Sequence, residues 1–255
     1  MPEFTLKTIF FIYVFVVGTV VGSFLNVVIY RVPRGLSVAS GRSMCPSCGH
    51  VLGAIDLIPI LGWIFLKGRC RYCKSGISPR YPLVELLGGI AALACFAKHG
   101  FSCRSLFSFL FLSVIIAITF IDIDTLEIPN GLILSLGVFA VALSFCGGVS
   151  LLSRVVGFLA VSVPMFVLAL VIPDSFGGGD IKLVAVCGFA LGWRFQLLAA
   201  FLAIVLGGAY GVYLLKSRKK GRKEHFAFGP FLSLGAAISM LAGDVIVPWY
   251  LGFFK

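Results

Sequence analysis

Apolar residues along this chain come in long blocks rather than in stripes. Eight blocks lie at about 8–30, 83–98, 105–123, 131–149, 152–172, 183–193, 195–215 and 231–254. Most approach the roughly 20 residues with which an α-helix crosses a hydrocarbon core. The pattern therefore predicts an all-α polytopic membrane protein with about eight transmembrane helices. The second block is short, and the sixth, "LVAVCGFALGW", is shorter still. Each is read as tilted, half-embedded or covered by its neighbours. The first block lacks a basic leading region and an A-x-A-like site, so it reads as a span and not as a cleavable signal. One long polar interval, 31–82, divides the chain into a first transmembrane helix (1–30), a loop large enough to be a small domain (31–82), and a core of about seven helices (83–255).

Composition agrees with the blocks. The 255 residues are 60% hydrophobic and 12% charged, against about 25% charged in an ordinary soluble domain. A net charge of +11 would suggest a nucleic-acid partner in a soluble protein. Its distribution gives another reading. Fifteen of the 21 Lys and Arg fall in the loops after spans one, three, five and seven, and only Lys7, Lys98, Arg104, Arg154, Arg194 and Lys255 fall on the other side. The excess of positive charge marks the odd-numbered loops as cytoplasmic and both termini as outside. The run "KSRKKGRKEH" is then a topology anchor that also suits anionic lipid, and no nucleic acid is expected.

The 31–82 loop carries "CPSC" at 45–48 and "CRYC" at 70–73. Two such turns can bring Cys45, Cys48, Cys70 and Cys73 onto a tetrahedral Zn²⁺ in a closed structural site. A cytoplasmic location argues against two disulfides, and a redox site needs one C-x-x-C rather than two. The metal would supply what some fifty residues cannot build as a hydrophobic core. Cys95, Cys103, Cys146 and Cys187 show no pattern and read as small apolar fillers.

Acidic residues number only ten. Glu3, Asp56 and Glu224 read as solvated. Glu85 and Asp244 lie in or at the edge of spans, where an acid is a functional suspect by default; for Asp244 a structural partner is an equal reading. Two clusters remain, and the charge count puts both on the cytoplasmic side. "FIDIDTLEIPNG" closes the third span, with Pro129 stopping continuation of the helix. "SFGGGDIKL" follows the fifth span. There Gly177, Gly178 and Gly179 are expected to free the backbone and admit another chain, and Asp180 sits near a helix N-terminus. Asp122 and Asp180 on different helices at one depth could share a proton, so that one activates water while the other protonates the leaving group. The residues alone leave open a protease, a proton or ion carrier, and ordinary loop charges. The absence of an inverted repeat weighs against a carrier.

"GSFLNVVIYRVPRG" (22–35), the paired C-x-x-C loop, "ISPRYPLVELLGG" (77–89), "IDIDTLEIPN" (121–130) and "GGGDIKL" (177–183) occur in this order. Together they resemble the type IV prepilin peptidases, the leader peptidase / N-methyltransferases of bacterial pilus and type II secretion systems. The likeness runs through at least residue 192, with "FGPFLSLG" (228–235) a weaker echo. The family is similar to the other GxGD-type membrane aspartyl proteases. The resemblance implies Asp122 and Asp180 as the catalytic pair, Gly177 and Gly179 as the motif glycines, and Lys182 as a supporting residue, with Asp124 a less favoured neighbour. Many members have Asp where this chain has Asn130, which removes that position as an acid. It further implies residues 83–255 as the protease core and a prepilin substrate. On the same resemblance, the short basic leader of the prepilin would be cut at a Gly–Phe type bond on the cytoplasmic side of the bacterial inner membrane, and the new N-terminal amine would then receive a methyl group from S-adenosylmethionine. No glycine-rich cofactor pattern marks where that donor sits. Glu85 could orient an amine or the donor, but the roles of Glu85 and Asp244 are left open.

Overall fold

The computed structural model describes residues 2–172, 175–217 and 226–253. The basic anchor from Arg218 to His225, Glu224 within it, Lys255 and the side chain of Glu3 lie outside the described residues. Among the described residues the regular structure is helical apart from two isolated β-bridges. The helices are α1 (Pro2–Arg31), α2 (Leu61–Phe65), α3 (Arg80–His99), α4 (Cys103–Thr125), α5 (Asn130–Phe145), α6 (Leu151–Val171), α7 (Gly178–Leu191), α8 (Trp193–Lys216) and α9 (Gly229–Gly252). Six of them, α1, α3, α4, α6, α8 and α9, are long and apolar enough to cross a membrane. With 16 and 14 residues, α5 and α7 are shorter. The chain divides into two compact units, Met1–Ser105 and Leu106–Lys255.

In the first unit α1 packs along α3 on glycine. A Cβ on Gly18 would lie 2.7 Å from the Gly88 carbonyl oxygen, and one on Gly22 would lie 2.7 Å from the Glu85 Cα. Gly89 in turn receives the Phe15 ring. In lipid there is no hydrophobic drive between helices, so close backbone approach at small residues carries the association. The polar members of the same stretches complete the seam. Asn26 donates to the Tyr81 carbonyl at 3.1 Å. Arg31, at the end of α1, donates to the carbonyls of Ser37, Ser40 and Arg42 and so folds the start of the loop back onto the helix end.

In the second unit α6 meets α7 where Gly157 and Gly188 bring their backbones into contact, and α8 meets α9 where Gly235 lies on the Ala199 carbonyl. Arg154 is 2% exposed. Its guanidinium donates to the carbonyls of Phe189 (3.1 Å) and Ala190 (3.0 Å) at the end of α7 and of Leu143 (3.2 Å) near the end of α5. These are last-turn carbonyls at the negative end of a helix dipole, and that of Leu143 also accepts the Cys146 N–H at 3.2 Å. A buried cation there satisfies two helix ends together.

Candidate active site and thiol cluster

Asp122 lies in the last turn of α4 and Asp180 in the first turn of α7. The first is 4% exposed, and its Oδ2 is buried without a hydrogen-bond partner. Three local features hold it. Leu126 takes φ 56° just beyond the helix and its N–H returns to the Asp122 carbonyl at 2.9 Å, the left-handed stop usually given to glycine. Ile128 and Gly229 close over the carboxylate: a Cβ on Gly229 would stand 2.6 Å from Asp122 Oδ2 and 3.4 Å from Ile128 Cδ1. The helix therefore stops at Leu126, ahead of Pro129, which instead caps α5.

Asp180 is the third residue of α7, and its carboxylate turns back toward Gly177, with Oδ2 3.3 Å from where a Cβ on that glycine would stand. A carboxylate is favoured at this end of a helix.

The three glycines do not act as expected from their number. None has positive φ; Gly177 is extended at φ −68°, ψ 142°, and α7 begins at Gly178, so the last two are helical. Only Gly179 is needed for close approach, because a Cβ there would meet the Ile128 Cβ at 2.9 Å. Gly178 faces open space. Ile128 therefore fits between Gly179 and Gly229, one from each aspartate's neighbourhood. Gly229 sits in the "FGPFLSLG" stretch, the weakest echo in the sequence.

Lys182 donates to Asn130 Oδ1 at 2.9 Å, tying the start of α7 to the start of α5. Asp124 and Asp244 are exposed. Glu85 is 9% exposed and accepts the Ile60 N–H at 2.7 Å. With Gly22, Asn26 and Gly88 it belongs to the α1–α3 seam. Next to the aspartates, the rings of Phe176 and Phe228 lie 6.2 Å apart, each adjacent in sequence to a glycine packed on one carboxylate. Neither ring carries a periodic or charge signal in the sequence.

The thiols of Cys45, Cys48, Cys70 and Cys73 lie within 4.8 Å of one another. The two C-x-x-C turns are built alike. In each, the amide after the second cysteine returns to the carbonyl of the first, Gly49 N to Cys45 O and Lys74 N to Cys70 O, and each ends on a left-handed residue, Gly49 or Lys74. Sulfurs at the corners of a tetrahedron around Zn²⁺ stand about 3.8 Å apart, given Zn–S near 2.3 Å. Cys45 Sγ and Cys73 Sγ are 3.9 Å apart. The backbone amides of Cys48 and Ser47 lower the Cys45 thiol to about 6, and Ser75 Oγ lies 3.0 Å from Cys73 Sγ as an outer support. The cluster fits a closed tetrahedral metal.

The family model described as "Bacterial Peptidase A24 N-terminal domain" matches residues 16–99, and the one described as "Type IV leader peptidase family" matches residues 109–212. The chain is 34% identical over 279 residues to "Prepilin leader peptidase/N-methyltransferase" of Aeromonas hydrophila, covering 98% of this chain and 96% of the relative. The protein of the same name from Bacillus subtilis (strain 168) is 32% identical, over 93% of this chain and 96% of the relative. That of Myxococcus xanthus (strain DK1622) is 38% identical over 81% of this chain and 64% of the relative. No solved structure matches. With both halves of the sequence matched and relatives aligned nearly end to end, the chain belongs to the type IV leader peptidase family.

Proposed function

We propose that this chain is an aspartic endopeptidase of the membrane that removes the leader from type IV prepilins or pseudopilins and methylates the new N-terminus. The observation that carries the peptidase reading is that the helix ends bearing Asp122 and Asp180 meet around Ile128, with one carboxylate oxygen of Asp122 buried and unpartnered. One carboxylate, ionised, takes a proton from water as the water oxygen bonds to the scissile carbonyl carbon. The other, protonated, donates to the carbonyl oxygen. Collapse breaks the C–N bond and the proton returns to the leaving amine, giving a leader carboxylate and a free N-terminus. Gly177 and Gly179 hold the first turn of α7, and Lys182 locks it to α5. Phe176 and Phe228 offer an aromatic wall to an apolar residue beside a Gly–Phe type bond.

Eight spans, with α5 and α7 counted beside the six longer helices, both termini outside the cytoplasm and the 31–82 loop inside complete the reading. It places the protein in the bacterial inner membrane, serving pilus assembly or type II secretion. Cys45, Cys48, Cys70 and Cys73 would hold a structural zinc, which supplies cross-linking of the loop and no chemistry. The methyl donor implied is S-adenosylmethionine. The motif glycines Gly22, Gly88 and Gly89 are filled by neighbouring helix atoms and offer it no cradle, so no methyl-transfer step is assigned to them.

The test mixes membranes holding the native, Asp122→Asn or Asp180→Asn chain with solubilised prepilin, read by mass spectrometry. Leader loss with the native chain alone is expected. Loss with either variant would sink the aspartate pair, and an unmethylated product with added donor would sink the second activity.

A further inference from the structure

Between the two thiol pairs runs the segment "IDLIPILGWIF", residues 55–65. It should be the polar part of a loop, yet Ile55 is 65% exposed, Leu61 50%, Ile64 53% and Phe65 76%. Such a contiguous apolar surface marks an interaction site. We propose that this segment is inserted into the bilayer interface beside α3, as a wedge that seats the thiol loop on the lipid surface.

The depth of its attachment carries the argument. Ile60 N–H is bonded to Glu85 Oε2 at 2.7 Å, and Glu85 is the sixth residue of the span-length helix Arg80–His99. At 1.5 Å per residue, the loop backbone is fastened about 8 Å inside the start of that helix. The fastening costs strain: Ile60 sits at φ 59°, ψ −56° with Leu61 N–H returning to Pro59 O at 2.5 Å, a γ-turn of the unfavourable hand. Directly after the turn, α2 presents Leu61, Ile64 and Phe65 exposed. Trp63, half-buried, donates its indole N–H to the Ile77 carbonyl at 3.0 Å, an interfacial arrangement for this side chain. The acid in the segment, Asp56, is paired with Arg71 at 2.7 Å. Beyond the wedge the exposed Lys67, Arg69 and Lys74 suit anionic headgroups. Apolar residues at interfacial depth, a neutralised acid and a basic collar together fit lipid better than a protein partner.

The full-length chain is reconstituted in vesicles of phosphatidylethanolamine and phosphatidylglycerol, with a fluorescent non-natural amino acid at position 65 in one sample, 64 in a second and 40 in a control. Metal content equal to the unlabelled chain's identifies folded samples. Brominated lipid should quench positions 64 and 65 several-fold more strongly than position 40, and aqueous iodide should do the reverse. Iodide quenching at 64 and 65 equal to that at 40 would overturn the proposal. So would protection from both quenchers, which would mean that substrate or another part of the chain covers the segment.

Discussion

At the scale of residues, the candidate site rests on which glycines touch something. Gly178→Ala should leave leader cleavage near the native rate, because nothing lies within 4 Å of its Cβ position. Gly179→Ala must displace Ile128, and Gly229→Ala must displace the Asp122 carboxylate. A misplacement of about 1 Å at a reacting group lowers turnover by about a hundredfold, so both should lose about that much in kcat while the protein still inserts. Both aspartates were legible in the sequence because acids in apolar chains are few. Gly229 and Ile128 were not, because packing against a distant carboxylate leaves no local pattern.

Elements show what periodicity can and cannot give. The apolar blocks fixed the existence of the helices, but α7 begins at Gly178, five residues before its apolar run, since two glycines and an aspartate are acceptable in a first helical turn. The end of α4 was attributed to Pro129, and it falls instead at Leu126, where a bulky residue takes a left-handed conformation. Arg154 looked like one of six scattered charges, and it is instead the cap of two helix ends. Arg154→Leu would remove the guanidinium from the carbonyls of Phe189 and Ala190 and leave that of Leu143 with the Cys146 N–H alone. A loss on the order of 3 kcal/mol is expected, measured as a lowered unfolding midpoint, with α7 the first helix to become labile in hydrogen exchange.

For the whole molecule, spacing of cysteines alone foretold a four-thiol cluster, and the two turns proved to share one hydrogen-bond plan. Metal analysis of the purified chain should give one zinc per chain, lost in Cys45→Ser or Cys70→Ser. Chelation should expose the 31–82 loop to protease while the membrane helices keep their circular dichroism, because the α1–α3 seam is made of glycine contacts and not of metal bonds. The motifs read as a single family signature also separate by purpose. "GSFLNVVIYR" and "VELLGG" build that seam, whereas "IDIDTLEIPN" and "GGGDIKL" meet around Ile128.

The guanidinium of Arg154 also sets an order of events during synthesis. Leu143 precedes it by 11 residues, so a ribosome that has just delivered α6 has already made both partners of that first bond. The α5–α6 hairpin can close with one cationic arm engaged and others still reaching outward. Phe189 and Ala190 arrive some 35 residues later and find their donor waiting. Nascent α7, short and opened by glycines, is thereby received by a template rather than left to hold itself in lipid. Its far end is moored to a donor made earlier in the chain, and α9, carrying Gly229, follows and closes over Asp122. The surroundings of Asp122 are thus completed only after α7 has been received.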